Sequence, residues 1–194
     1  MGIVGFEELW RQQFADIPPV GFLLRQNLPE NWARFHALPL SKRYADTEDE
    51  TAIILNRANS LMRDLFVGSN EIWLASSRPD QAPNTISYEP QRFVEEKFNL
   101  PRLFSWQDPT DEPDARATWS TCADRIPWRN GCLDQTFKKI ADEEEYGIIL
   151  TSHDMKTVLA PYDGGFDLII FDSHRKHELV QKYLEWLSPR DDKL

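Results

Sequence analysis

The stretch that most constrains this chain is Thr157 to Leu187, T-V-L-A-P-Y-D-G-G-F-D-L-I-I-F-D-S-H-R-K-H-E-L-V-Q-K-Y-L-E-W-L. Thr157 to Ala160 is rich in strand formers, and Pro161, which cannot donate to a ladder, ends it. Asp163-Gly164-Gly165 is hairpin-turn chemistry, because glycine reaches positive φ without a Cβ clash. Phe166 to Phe171 is a short apolar run between turn signals, which predicts a central strand covered on both faces. Asp172 or Ser173 is an N-cap for a following helix. Leu179, Val180, Tyr183, Leu184 and Leu187 recur there at helical spacing until Ser188-Pro189 closes it. The unit predicted is a β-hairpin with an amphipathic helix folded onto its sheet.

Upstream, Phe6, Leu9, Trp10 and Phe14 define a helical face that Pro18-Pro19 stops, and Val20 to Leu24 reads as a short extended arm. Trp32 to His36 alternates as a strand, with Trp32, Arg34 and His36 on one face and Ala33 and Phe35 on the other. Thr47 and Glu50 form a capping box for a helix running to about Val67, with Gly68 after it. Glu71 to Ser76 reads as a strand. Residues 77–91 read as loop, interrupted at Thr85 to Tyr88 by a brief extended piece. Arg92 to Phe98 is either a short helix or irregular. Strands follow at Leu103 to Trp106 and around Thr118 to Cys122, then a helix over Asp134 to Asp142 and a strand over Tyr146 to Leu150. Hairpin-length gaps argue for a single α+β domain. Its mixed or antiparallel sheet has about five to seven strands, packed by three to four helices.

Charge narrows the partners. The 194 residues carry a formal net charge of −10, a field that repels phosphate backbones and favours basic protein surfaces. Nucleic acid is therefore not expected. Two cysteines, Cys122 and Cys132, make no disulfide framework. With no signal-peptide pattern and no membrane-length apolar run, a soluble cytoplasmic protein is expected.

No P-loop, dinucleotide fingerprint, G-x-S-x-G or H-E-x-x-H pattern occurs. His174 and His177 share a helix face near Asp172, but basic neighbours and the lack of further ligands argue against a metal. No cofactor is expected. Cys122 reads as a buried strand cysteine rather than a nucleophile. Asp163, Asp167 and Asp172 suit turn, strand start and helix cap better than paired acid–base work. Three acidic clusters remain: Asp46 to Glu50, Asp108 to Asp114, and Asp142 to Glu145. The first complements a helix dipole; the last sits at a helix C-terminus, where the dipole disfavours it. Asp108, Asp111, Glu112 and Asp114, with Glu143, Glu144 and Glu145, are thus the candidate partner-facing surface. Trp106, Trp119 and Trp128 are its candidate aromatic anchors.

Two runs carry a resemblance. P-Y-D-G-G-F-D at Pro161 to Asp167, followed by K-Y-L-E-W-L-S at Lys182 to Ser188, is similar to the bacterial domain of unknown function 3885 family. R-F-H-A-L-P-L-S-K-R-Y-A at Arg34 to Ala45 resembles the R-I-H-S-L-P-x-S-K-R-Y run of related small proteobacterial proteins. Gly165 departs from members with another residue at the second glycine of the turn. The motif residues without an assigned role are Arg34, His36, Lys42, Arg43, Tyr44, Tyr162, Asp163 and Asp167. The resemblance implies a bacterial cytoplasmic protein and, more loosely, the neighbourhood of polymorphic toxin systems, where acidic domains act as immunity proteins. In the S-K-R-Y run, Lys42 and Arg43 are anion binders or, as the structural alternative, Arg43 ties the loop to the acidic start of the next helix and Tyr44 acts as a hydrophobic staple. The leading expectation is an acidic immunity protein that binds and neutralises a basic toxin domain. The alternatives are an enzyme of unrecognised class with a cleft near His36, Arg43 and Tyr162, or a regulatory or structural binding subunit.

Overall fold

In a computed structural model that describes residues 5–80, 92–112 and 116–188, every strand joins one sheet. In chain order the elements are α1 (Phe6–Phe14), α2 (Gly21–Asn27), β1 (Trp32–His36), α3 (Glu48–Leu65), β2 (Glu71–Pro79) and α4 (Phe93–Phe98). They continue with β3 (Arg102–Gln107), β4 (Thr118–Pro127), α5 (Asp134–Ala141), β5 (Ile148–Thr151), β6 (Thr157–Tyr162), β7 (Gly165–Ile170) and α6 (Ser173–Lys182). Short 3-10 turns stand at Pro39–Ser41 and Leu184–Trp186. The sheet order is β1-β7-β6-β5-β2-β4-β3, and every pairing is antiparallel. The architecture is a single α+β unit, as the hairpin-length gaps imply. Two short helices, α2 and α4, join the four long amphipathic ones.

Strand alternation splits the apolar residues into two cores. Phe35, Leu74, Leu150, Leu159, Phe166, Leu168 and Ile170 face α3, α5 and α6. Trp73, Ala75, Ile149, Val158, Ala160 and Ile169 face α1 and α2. β7 is buried over its whole length between β1 and β6. That is why its sequence is a continuous apolar run rather than an alternating one.

The structure corrects several sequence readings. Val20 to Leu24 is not extended: Val20 caps α2, which runs on to Asn27. Helix and sheet approach closely at Gly21, where an added Cβ would stand 2.8 Å from the Cβ of Ala160. β2 runs three residues past Ser76, because Ser77, Arg78 and Pro79 keep pairing with Thr121, Ser120 and Trp119. Thr85 to Tyr88 lies outside the described residues. Pro161 lies inside β6, beyond the Leu150–Leu159 and Thr151–Val158 pairs with β5, so its missing donor interrupts no β5 pairing.

The hairpin glycines also serve a different purpose from the one read. Neither Gly164 nor Gly165 has positive φ. Gly165 is required because the place of its Cβ is taken by the carbonyl oxygen of Phe35 on β1. We expect Gly165→Ala to force β1 away from β7 and to cost on the order of 3 kcal/mol. Urea unfolding of the two proteins checks this, and an unchanged midpoint would contradict it.

Candidate functional site

Where α2 crosses the sheet it leaves a cleft of about 450 Å³. Gly21, Phe22 and Arg25 form one wall, and Trp119, Glu143, Tyr146 and Ile148 form the other. Ala160, Tyr162, Arg34 and Asp167 make the floor. The floor follows from register: Arg34 of β1 stands opposite Asp167 of β7, which stands opposite Ala160 of β6.

Arg34 grips Asp167 with both arms of its guanidinium, Nε to Oδ1 at 2.7 Å and Nη2 to Oδ2 at 2.8 Å. The indole N–H of Trp32 donates to the same Oδ1 at 2.8 Å. Burial works against the charge on Arg34, but the hydrogen bonds and field of Asp167 outweigh it and hold the guanidinium's pKa above its ordinary value. Tyr162 lies under this guanidinium, 4.4 Å from ring centre to Cζ. Burial pushes the Tyr162 phenol up to about 12, against the pull of Arg34. At neutral pH the cleft therefore holds a neutral phenol on a charge-compensated floor.

The mouth is built by the S-K-R-Y run. Arg43 reaches Asp163 in the hairpin turn and Glu143, the latter at 3.5 Å. The Tyr44 hydroxyl donates to Glu143 at 2.8 Å. Two roles read from the sequence are therefore redistributed. Lys42, not Arg43, ties the loop to the start of α3, through Asp46 at 2.8 Å and Glu50. Tyr44 is an exposed hydrogen-bond donor rather than an apolar staple. The capping box forms by half. Thr47 accepts from the Glu50 N–H at 3.2 Å, while Glu50 turns to the Asp46 N–H.

Arg34 and Arg43 from one stretch of the chain, and Tyr162, Asp163 and Asp167 from a distant one, thus converge on one cleft. His36 does not line it. Its Nε2 is buried without a partner among the described residues, its carbonyl accepts from Arg57 at 2.8 Å, and burial beside Arg34 and Arg57 lowers its pKa. The enzyme cleft read near His36, Arg43 and Tyr162 therefore keeps two of its three members.

The acidic candidates separate in the same way. Glu145 is 2% exposed and bound to Arg78 and to the Phe93 N–H, so it faces no partner. Asp108 is buried as well; it closes its own loop by accepting from the Thr110 N–H and hydroxyl. Asp111 accepts from the Ala117 N–H at 2.9 Å, Glu112 is exposed, and Asp114 lies outside the described residues. Trp106 stacks on Trp119 at 5.0 Å and donates to Thr121, and Trp128 packs against the larger core. Glu143 and Glu144 remain at the surface. α3 packs on α5, and Lys138 feels Asp142, Glu48 and Glu144 together. The acidic start of α3 and the acidic end of α5 therefore merge into one rim beside the cleft.

The sequence reading missed a buried group behind that rim. Arg78, 4% exposed, binds Glu95 at 2.8 Å and also Glu145, and its guanidinium lies 4.9 Å from the Tyr146 ring. Treating residues 77–91 as loop hid it, because the apolar run Trp73-Leu74-Ala75 gives way to polar Ser76-Ser77-Arg78 while the strand continues. Burial raises the pKa of Glu145 despite the field of Arg78, and the nearby Glu95 adds to the rise. Cys122 is buried on β4, and burial pushes its thiol up, away from nucleophile chemistry. No His, Cys, Asp or Glu cluster suited to a metal, and no helix long and apolar enough to cross a membrane, occurs among the described residues.

Two outcomes follow from these groups. Asp167→Asn leaves the Arg34 guanidinium buried without its counter-charge, at an expected cost of about 3–5 kcal/mol, read from denaturant unfolding. A raised carboxyl pKa in the folded state means that the native protein holds a proton the unfolded chain has released. That contribution is complete below the ordinary glutamate range and is lost as pH rises through the raised value. Glu145→Gln should flatten the fall in stability with pH above the glutamate range, and an unchanged slope in urea titrations would assign it to another group.

Comparison with family models found a match to a domain of unknown function (DUF3885) over residues 20–191, which takes in the cleft, its mouth and the acidic rim. Comparison with curated proteins and with solved structures found no match.

Proposed function

The chain belongs to the DUF3885 family, and we propose that it is a binding protein of the bacterial cytoplasm that neutralises a basic toxin domain by docking through its acidic rim. The observation that carries this reading is the merging of two acidic stretches beside a cleft whose own charges are already matched. Asp46, Glu48, Glu50, Asp142, Glu143 and Glu144 crowd one edge, and Lys42, Arg43, Lys138 and Lys139, though ion-paired among them, leave the acids in excess. Such a surface accelerates encounter with a cationic partner and repels anionic ones.

An enzyme reading would need a titratable group in the cleft that is available to a substrate. On the floor, Arg34 and Asp167 are committed to each other, Tyr162 is held as a phenol, and Asp163 is engaged by Arg43; on the walls, Glu145 is bound by Arg78 and the Phe93 N–H, and Glu143 by Arg43 and Tyr44. The floor suits shape recognition better than proton transfer.

The test is affinity capture from native lysate on the immobilised chain with elution by rising salt, followed by co-expression with the captured protein in a growth assay. The expected result is a basic protein released as salt rises, toxic alone and harmless in the chain's presence. Glu143→Lys with Glu144→Lys should slow its association by roughly tenfold at low salt. A neutral partner indifferent to salt, or a partner whose toxicity the chain does not relieve, would contradict the proposal.

A further inference from the structure

Leu40 occupies left-handed backbone, φ 55° and ψ 29°, and Ser41 follows it at φ 56°. An L-residue with a branched apolar side chain seldom adopts this conformation, because its Cβ crowds the following carbonyl. The Leu40 side chain is also 100% exposed, more than any other large apolar residue described. The strain and the exposure both disfavour the isolated chain, and Leu40 gains no burial from its own fold in return.

The turn that carries it is nevertheless held firmly. Upstream, Leu38 is buried and the Ala37 N–H donates to the Gly164 carbonyl at 2.9 Å. Downstream, the Lys42 N–H donates back to Pro39 at 3.2 Å, and the Lys42 ammonium is clamped by Asp46 and Glu50. The Pro39–Ser41 turn packs against the Leu184–Trp186 turn, where Leu184 is 57% exposed. An apolar projection on a pinned, strained backbone is what a preorganised interface anchor requires.

We propose that Leu40, with Leu184 beside it, is the apolar anchor by which this chain seats in an apolar pocket rimmed by lysine and arginine on a partner protein. The proposal rests on the binding reading above and adds the contact that supplies affinity where the acidic rim supplies encounter rate. Charge selects the occupant. Lys42 joins the anchor turn to Asp46 and Glu50, and Arg43 and Tyr44 join it to Glu143. A second copy of a chain with net charge −10, or an anionic membrane surface, would be repelled from this edge.

The experiment places a photoreactive benzophenone side chain at position 40 of the full chain in its native cells. Position 67 serves as the control, where Val67 is 75% exposed just beyond the far end of α3. A single adduct to a different protein is expected from position 40 and not from position 67, with the labelled site surrounded by basic residues. Leu40→Gly removes the side chain and the strain together, so its unfolding midpoint should hold or rise while capture of that partner falls more than tenfold. A merely structural Leu40 would not separate those two readouts. No adduct, an adduct to a second copy, the same adducts from both positions, or full capture by Leu40→Gly overturns the anchor. If Glu143→Lys with Glu144→Lys loses the partner but Leu40→Gly keeps it, the anchor falls and the acidic-rim reading stands. If Leu40→Gly loses it and the charge reversal does not, the anchor stands and the acidic-rim reading falls.

Discussion

The contact between Arg34 and Asp167 is the constraint on which the rest depends. β7 is buried on both faces and would tolerate no charge, yet Asp167 sits within it. Only a planar, bidentate donor from the neighbouring strand can satisfy both carboxylate oxygens there, and Trp32 adds a third donor from the same strand. A one-residue slip of β1 would carry Arg34 to the opposite face and leave the carboxylate alone, so the pair fixes register as well as charge. Gly165, two residues before Asp167, lets β1 come close enough for the grip to close.

That arrangement turns the floor of the cleft into a matched, rigid surface. Tyr162 lies against the guanidinium, Asp163 projects from the same hairpin to hold Arg43, and Arg43 joins the hairpin to Glu143 at the end of α5. The floor charges are consumed in building the site.

Much of this was legible in the chain. The apolar run of β7, the helix cap at Asp172 and the stripe of α3 follow from periodicity, because burial on one or two faces dictates their composition. The alternation of Trp32, Arg34 and His36 placed Arg34 on its proper face, and the motif runs named Arg34, Arg43, Tyr162, Asp163 and Asp167, which meet at the cleft. What could not be read was pairing across distance. Nothing near Glu145 announces Arg78, sixty-seven positions away, so a carboxylate at a helix end looked free when it is buried. Asp108 looked like part of an acidic surface because loop composition does not reveal that its carboxylate folds back on Thr110. Leu40 drew no attention because a leucine between Pro39 and Ser41 has no pattern; only its backbone angle and full exposure set it apart.

The most direct test of the account is a double-variant cycle at the floor, with Arg34→Met, Asp167→Leu and both together compared by urea unfolding. If the pair is a structural clasp, the double variant replaces two mutually dependent charges with apolar packing and should be more stable than either single variant. Losses that simply add would show that Arg34 and Asp167 act independently, and would contradict the role given to their contact here.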